Sequence, residues 1–533
     1  MTLPSDNIIF PNSYAFIEGN HLILENEIES LLSSCNSVEE FQEQAEKLNG
    51  SWAAIIKKDN KIYAATDHRS TMPVYYRQSN DTIRFSTNGF DLIQPNERFN
   101  ISSDDQLFFA QNGFLLGQKT LHPNIKRLQA GSLLYFDGKE IAISHYDHEI
   151  NNLSAYSALS YTEAKRRFKQ RLEEIFSNAK QLVGNRWIVL PLTGGRDSRL
   201  LACLLKKAGF KNVQCITYGI GKDCFESQKA KEIAQKLNYK HEFISSIPED
   251  CGYEGYTEDR DAINYLKYIS GLGSGYYYGE YLPAKWICQH FAPSELPIVI
   301  PGHNGDEIRG ESLIHPYLLK RDCSKMIDAL TMREGGNCAI SRKQYLQLRK
   351  EIEQTIKTYP KIFDTLQLYE QYLNYEVMPK FYTNSAKSWR YFEIPVFLPL
   401  LDKELCELMF CIPAKYRWRR RLYEEVTNEY YTEFGVTFDD DTNSEKELSK
   451  LSFKIKEVIR PYIAPIWNKR SKLWLGDTIG FRTLMQGKLL EEVRQRSPFN
   501  PTTENGLAAA WLLLKIEDEY GLKKTRQSPS NNQ

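Results

Sequence analysis

The sequence lacks several patterns that mark secreted, zinc-stapled or membrane-spanning proteins. Its ten cysteines include no Cys-x-x-Cys pair, and no His-Glu-x-x-His motif occurs. Cysteines scattered in this way argue against structural zinc and for reduced thiols. The apolar stretch at 507–514 is far shorter than the roughly 20 residues that cross a bilayer. Because no basic segment followed by an apolar one opens the chain, we expect no secretory signal and a cytoplasmic location.

An excess of charge of either sign is also absent. Lys plus Arg number 68, as do Asp plus Glu, in a chain of 533 residues that is 41% hydrophobic. Without a basic field we expect no nucleic acid and no membrane among the partners, and a small molecule or a peptide as substrate. A chain of this length is too long for one ordinary core, so we expect two domains.

The first 150 residues have the pattern of a sheet-rich domain. One amphipathic helix is predicted at 38–48, and the polar stretch 149–154 has the composition of a linker, which places a boundary near residue 150. Short apolar runs separated by polar turns predict strands at 52–56, 62–66, 74–76, 83–85, 132–135 and 141–144.

After the linker, strands alternate with helices. This rhythm predicts an α/β domain at 151–520 with a parallel sheet and right-handed crossovers. Residues 521–533 have the composition of a disordered tail. The predicted helices lie at 162–182, 198–208 and 226–237, and the predicted strands at 187–190, 213–218, 242–244 and 296–300.

The most informative segment is TGGRDS at 193–198, where a predicted strand runs through two glycines directly into a helix. Glycines let a phosphate approach the backbone, and a helix N-terminus favours an anion. Thr193 and Ser198 add hydroxyl donors, and Asp197 can hold Mg²⁺. The alternative is a Gly-Gly turn with Asp197 and Ser198 as an ordinary helix cap. The segment does not fit Gly-x-x-x-x-Gly-Lys-Ser/Thr, which disfavours a γ-phosphate hydrolase.

This segment resembles the Ser-Gly-Gly-x-Asp-Ser loop of the N-type ATP pyrophosphatases. Three further segments resemble signatures of one branch of that group, the asparagine synthetase family, and follow in the same order. They are the acidic-start helix and strand at 226–242, GHNGDEIRG at 302–310 and FLPLLD at 397–402. The resemblance implies a PP-loop (adenine nucleotide α-hydrolase-like) synthetase domain that splits ATP into AMP and pyrophosphate.

The N-terminal segments NGSWAA at 49–54, DHR at 67–69, PVYY at 73–76 and RLQAG at 127–131 resemble the class II glutamine amidotransferase domain. That resemblance implies an α+β, Ntn-like fold. The family has a nucleophilic Cys at position 2, where this chain has Thr2, and too few residues precede Gly50 to hold glutamine-clamping segments. We therefore expect a degenerate domain without glutaminase activity.

The resemblance also assigns site residues. Asp197 and Asp306 would hold Mg²⁺ together with ATP. His303 stands where the family's residue varies with the chemistry and is a candidate general base, or else it only shapes the turn or contacts ATP. Glu393 resembles a Glu that the family uses near the acyl group, and a late lysine that steadies the phosphate would be Lys446 or Lys450. The residues implied to bind the nucleotide are Leu192, Thr193, Gly194, Gly195, Asp197, Ser198, Tyr218 and Gly302.

The implied activity is an AMP-forming amide ligase that adenylates a carboxylate and transfers the acyl group to ammonia or an amine. The carboxylate would belong to a small molecule or a peptide, as for the related β-lactam synthetases and lasso-peptide macrolactam synthetases. Two alternatives stay open: a glutamine-hydrolysing asparagine synthetase proper, and a catalytically silent ATP-binding relative that acts in a complex. The sequence also leaves open a homodimer.

Overall fold

In the computed structural model we describe residues 7–146, 156–247, 260–275, 277, 279–308, 310, 322–334, 336–438 and 488–521. Several sequence predictions lie outside these residues. They concern Thr2, the linker at 149–154, the lysines Lys446 and Lys450, and the tail beyond 521. The domain boundaries therefore stay predictions, and we speak below of an N-terminal region (7–146) and a C-terminal region (156–521).

Antiparallel sheets form the N-terminal region, which confirms the predicted sheet-rich fold. The strands are β1 (Ile8–Ile9), β2 (Tyr14–Ile17), β3 (His21–Leu24), β4 (Asn49–Ser51), β5 (Ala53–Lys58), β6 (Lys61–Thr66), β7 (Tyr75–Ser79), β8 (Thr82–Ser86), β9 (Lys126–Arg127), β10 (Ser132–Phe136) and β11 (Ile141–His145), and the helices are α1 (Glu25–Ser34), α2 (Val38–Lys47) and α3 (Ser103–Asn112). All six predicted strands and the predicted helix are present. One sheet has the order β1-β5-β6-β10-β11, and two others have the orders β3-β2-β4 and β8-β7-β9.

A parallel sheet forms the centre of the C-terminal region, as the alternation of strands and helices predicts. Its strands are β12 (Ile188–Pro191), β13 (Val213–Gly219), β14 (Lys240–Ser245) and β15 (Ile298–Val299), in the order β14-β13-β12-β15. A fifth segment, 395–397, pairs in parallel with β15, since the Val299 amide donates to the Pro395 carbonyl at 2.9 Å. The chain therefore reverses its direction of winding between β12 and β15, and open α/β sheets bind ligands at such a point.

Helices cover both faces of this sheet because its strands are apolar on both sides. Ile188 and Leu190 pack on the face that carries α4 (Tyr161–Val183) and α5 (Arg196–Lys207), whereas Val189 packs on the opposite face. In chain order the helices of the described residues are α4 (Tyr161–Val183), α5 (Arg196–Lys207), α6 (Phe225–Lys236), α7 (Arg260–Ser270), α8 (Tyr281–His290), α9 (Gly305–Ile308), α10 (Cys323–Glu334), α11 (Arg342–Ile356), α12 (Thr365–Tyr372), α13 (Ala386–Tyr391), α14 (Lys403–Cys411), α15 (Ala414–Arg417), α16 (Arg421–Glu433), α17 (Lys488–Arg496) and α18 (Glu504–Tyr520).

Short elements complete the C-terminal region. A π-helix, Leu373–Tyr382, follows α12, and 3₁₀ turns lie at Pro293–Glu295, Thr383–Ser385, Pro399–Leu401 and Trp418–Arg420. The strands β16 (Cys338–Ala339) and β17 (Asn500–Pro501) form a small antiparallel pair. Within the described residues, no helix combines the length and the apolar character needed to cross a membrane.

The two regions share one hydrophobic core. A buried polar contact crosses the same boundary: the Lys380 ammonium donates to the carbonyls of Leu115 at 2.9 Å and Gly117 at 2.7 Å, and it lies 2.5 Å from the Glu376 carboxylate. The Gly117 amide in turn donates to Glu376 at 2.9 Å. The N-terminal region is therefore packed into the C-terminal one. The shared core includes Phe99, Phe108, Phe109 and Phe114 from the first region and Leu366, Tyr372, Trp511 and Leu512 from the second.

Candidate active site

The two glycine-rich signatures meet at the carboxyl ends of β12 and β15. A Cβ added to Gly305 would lie 2.1 Å from Cγ of Asp197, and one added to Gly302 would lie 3.6 Å from the Ser198 nitrogen. Gly305 thus leaves just enough room for the Asp197 side chain. Because Asp306 follows Gly305 directly, the structure brings the acidic residues of both signatures to one edge of the sheet.

The segment 193–198 is tied together by its own hydroxyl groups. The Thr193 amide donates to Oγ of Ser198 at 3.1 Å, and the Gly195 amide donates to Oγ1 of Thr193 at 3.1 Å. The N-cap position of α5 is Gly195, without a side-chain cap. The structure therefore does not support the alternative in which Asp197 and Ser198 serve as an ordinary cap, and the first amides of α5 have no capping side chain.

Helix α16 holds the start of α5 in place. The Tyr423 hydroxyl donates to Oδ1 of Asp197 at 2.7 Å, and the Tyr431 hydroxyl donates to the Arg196 carbonyl at 2.9 Å. Within the described part of the chain, no group of three or more His, Cys, Asp or Glu residues could hold a metal ion. Two carboxylates nevertheless fit Mg²⁺, because this ion commonly takes one or two carboxylates and completes its shell with substrate phosphates and water.

Arg199, which the sequence analysis did not single out, supports the same loop from inside. Its side chain is fully buried and donates to the carbonyls of Gly194 at 2.8 Å, Val436 at 3.0 Å and Thr437 at 2.9 Å. Its guanidinium carbon lies 3.5 Å from the ring centroid of Phe438. An arginine in the first turn of a helix carries no sequence signal for this role, because Val436 and Thr437 lie more than 200 residues away along the chain.

We expect Arg199→Leu to lower the free energy of unfolding by about 2–4 kcal/mol, because three buried carbonyls lose their donor. Urea unfolding followed by circular dichroism measures this loss. Arg196→Leu is the matched control, since Arg196 also lies over Phe438, at 4.4 Å, but is partly exposed. We expect the control to lose less than about 1 kcal/mol. Equal losses for the two variants would show that Arg199 does not support the loop.

His303 lies on the sheet face opposite α5 and is a neutral imidazole. Its Nε2 is hydrogen-bonded to Oγ of Ser385, and its Nδ1 is buried and has no hydrogen-bond partner within the described residues. Burial, and secondarily the positive charge of Arg390, lower the pKa of His303 to about 4. Such a weak base suits a hydrogen bond to a substrate better than the removal of a proton from an amine.

Glu393 lies away from this site, contrary to the sequence-based assignment. It is exposed, it has a left-handed backbone with φ of 60°, and it precedes the segment 395–397, which runs parallel to β15. Glu393 is therefore at the amino end of the sheet. Burial, and secondarily the charge of Glu393, raise the pKa of Cys288 near the end of α8. The signatures meet at the opposite end, so the structure does not support a role for Glu393 beside the acyl group.

Leu192 and Tyr218, which the resemblance implies to line the adenosine, differ in the surroundings of their side chains. The Leu192 side chain is buried in the core beneath α5, which leaves only its backbone for a ligand. Tyr218 lies near the carboxyl end of β13, and its hydroxyl donates to Oε1 of Glu280 at 3.0 Å. The Tyr277 hydroxyl donates to the same oxygen at 3.0 Å.

Glu280 is a second residue that the sequence analysis missed. Its side chain is buried directly before α8, and its Oε2 has no hydrogen-bond partner within the described residues. Burial raises the pKa of Glu280 to about 7, although the two tyrosine hydroxyls partly oppose that rise. The only sequence signal is a single acid in an aromatic run. In that run Tyr276 and Tyr278 lie outside the described residues.

This fold and this pair of loops define a class, the α/β proteins with an ATP-pyrophosphatase-type phosphate loop. Residues 168–428 match the family model described as asparagine synthase. The domain at 168–428 belongs to this family, whose members are ATP-dependent amide ligases of the asparagine synthetase superfamily.

No curated protein matches the chain. Among solved structures, the U34-tRNA thiolase NcsA from Methanococcus maripaludis, with its 4Fe-4S cluster, is 12% identical. The match covers 43% of this chain and 79% of that one, with a TM-score of 0.20. So low a score carries no argument about the site.

Proposed function

We propose that the protein activates a carboxylate as an acyl-adenylate and passes the acyl group to ammonia or an amine. One observation carries the proposal: Asp197 packs against Gly305, so the acidic residues of two distant signatures share one edge of the sheet. Membership of the asparagine synthase family supports the use of ATP. The carboxylate would be that of a small molecule or a peptide.

The amides at the start of α5, with Gly194, Gly195 and Ser198, would hold the phosphates of ATP. Asp197 and Asp306 would hold Mg²⁺, which supplies positive charge against the phosphate oxygens. A carboxylate oxygen of the substrate attacks the α-phosphorus, and the bond between that phosphorus and the bridging oxygen breaks. The electron pair of this bond leaves on pyrophosphate.

In the second step the nitrogen of the acceptor attacks the acyl carbon. A C–N bond forms, the C–O bond to AMP breaks with its electron pair on the phosphate, and the nitrogen loses one proton to that phosphate or to water. We propose that His303, through Nδ1, donates or accepts a hydrogen bond with the bound acyl group. Its low pKa keeps the imidazole uncharged throughout the neutral range.

Free ammonia or an amine is the proposed nitrogen source. Residue 2 is threonine, which lacks the thiol that class II amidotransferases use to attack glutamine. Glutamine should therefore release no ammonia above the rate in buffer. Ammonia release that depends on the protein and on Thr2 would identify a glutamine-hydrolysing enzyme instead.

Exchange of labelled pyrophosphate into ATP tests the proposal directly, because it reports the first step without the acceptor. We expect exchange that depends on Mg²⁺ and on one member of a panel of amino acids, dicarboxylates and peptide acids. AMP, and not ADP, should be the nucleotide product once ammonia or an amine is added. A protein that binds Mg-ATP but exchanges with no acid would be the silent relative, and formation of ADP would exclude adenylation.

A further inference from the structure

Glu280 and His303 both lie at the carboxyl edge of the parallel sheet, and the proposed steps use no group at Glu280. Glu280 contacts the end of β13, His303 follows β15, and β12 with its phosphate loop lies between these strands. Ser385, the partner of His303, lies directly before α13, and Ser388 within α13 accepts a hydrogen bond from Tyr265 at 2.8 Å. The charge of Glu280 acts on the same tyrosine.

Aromatic rings surround Glu280, and its titratable neighbours are tyrosines. Within the described residues, the side chains that act on its ionisation are Tyr218 on β13 and Tyr277 before α8, while its own charge acts on Tyr265 of α7. The Tyr265 and Tyr281 rings lie 4.7 Å apart. No lysine, arginine or histidine of the described residues contributes to the ionisation of Glu280.

A buried carboxylate without a cation is costly, and the cost falls when a cation binds beside it. Oε1 already accepts two hydroxyl donors, whereas Oε2 accepts none. Oε2 thus offers an acceptor for one N–H group. Aromatic faces add to the attraction for an organic ammonium ion. The amine that is to receive the acyl group is protonated before it reacts, and it then carries the positive charge of an ammonium ion.

We propose that Glu280 binds the acceptor amine as an ammonium or alkylammonium ion and takes one proton from it through Oε2. Loss of this proton frees the electron pair with which nitrogen attacks the acyl carbon, and the second proton on nitrogen leaves with the phosphate of AMP or with water. The proton-transfer step rests on the proposed function. Amine binding does not, because it needs neither ATP nor the acid.

Binding of n-butylammonium chloride, followed by saturation-transfer difference NMR without nucleotide, tests the proposal. We expect saturable binding to the wild-type protein, at least tenfold weaker binding to Glu280→Gln, and none for n-butanol, which lacks the charge. Glu295→Gln, which changes an exposed glutamate at the end of the 3₁₀ turn Pro293–Glu295, is the matched control and should bind like the wild type. Equal binding by Glu280→Gln and the wild type, or no saturable binding by the wild type, would overturn the proposal.

The pH dependence gives a readout that a packing role would not produce. Because the pKa of Glu280 is about 7, its ionised fraction, and with it the affinity for n-butylammonium, should rise about tenfold between pH 6 and pH 8. Tyr277→Phe removes a donor that lowers this pKa, so the midpoint should move to higher pH. This variant keeps the test valid if Glu280→Gln fails to fold. A pH-independent affinity would exclude Glu280 as the binding group.

Amine binding without nucleotide and pyrophosphate exchange by the wild-type protein are separate measurements, so the two proposals can fail separately. Amine binding that Glu280→Gln loses, together with exchange by the wild-type protein, supports both proposals. Retained amine binding with no exchange by the wild-type protein would refute adenylation and leave the amine site standing.

Discussion

Asp197→Asn is expected to lower the rate of acid-dependent ATP–pyrophosphate exchange by about 100- to 1,000-fold. The reason is the loss of one of two carboxylates that would hold Mg²⁺ against the phosphates, an electrostatic contribution of several kcal/mol. The Tyr423 hydroxyl, which donates to Oδ1 of Asp197, can still donate to the amide oxygen of asparagine. The fold should therefore survive, and circular dichroism would verify this.

The matched control is Asp81→Asn, in the exposed turn between β7 and β8. This substitution removes the same charge at a position far from the phosphate loop in the sequence. The variant should exchange pyrophosphate into ATP at the wild-type rate. Exchange by Asp197→Asn within a few-fold of the wild type would place the metal elsewhere and remove the main support for the proposed function.

Gly305→Ala should be nearly as damaging, although it removes no polar group. Its Cβ would lie 2.1 Å from Cγ and 2.3 Å from Oδ2 of Asp197, closer than any unstrained contact. The carboxylate would have to turn away from the site, so we expect at least about 100-fold slower exchange and weaker Mg-ATP binding, measured by calorimetry.

Gly302→Ala provides the comparison, because its Cβ would meet Asp197 and Ser198 at an ordinary 3.6 Å. Without nucleotide, Gly302→Ala should be as stable as the wild-type protein. It should lose clearly less of the pyrophosphate exchange rate than Gly305→Ala. If Gly305→Ala exchanged as fast as Gly302→Ala, the contact between the two signatures would have no part in catalysis.

The sequence predicts the central sheet and the phosphate loop well because both depend on local patterns. Strands β12 and β13 are short apolar runs next to glycines, and TGGRDS joins a strand to a helix within six residues. The meeting of the two signatures, with Gly305 against Asp197, also follows, since parallel strands present their carboxyl ends at one edge. These predictions need only the order of elements, not their packing.

Other parts of the site depend on packing that no local pattern encodes. The resemblance implies a place for Glu393 near the acyl group, but the parallel pairing of 395–397 with β15 puts it at the amino end of the sheet. Arg199 gains its role from carbonyls of residues 436–437, and Glu280 from a tyrosine about 60 residues earlier. The early strands β1 to β3 are also too short to give a periodic signal.

The core shared by the two regions has a consequence for how this molecule folds. Phenylalanines of α3 and its surroundings fill the same interior as Trp511 near the end of the chain, and the Lys380–Glu376 pair is sealed by carbonyl and amide groups of residues 115–117. The aromatic side chains of α3 can therefore be buried only after synthesis has reached α18. The predicted linker near residue 150 divides the sequence but does not divide this core, so a fragment cut there would expose part of the core on both halves.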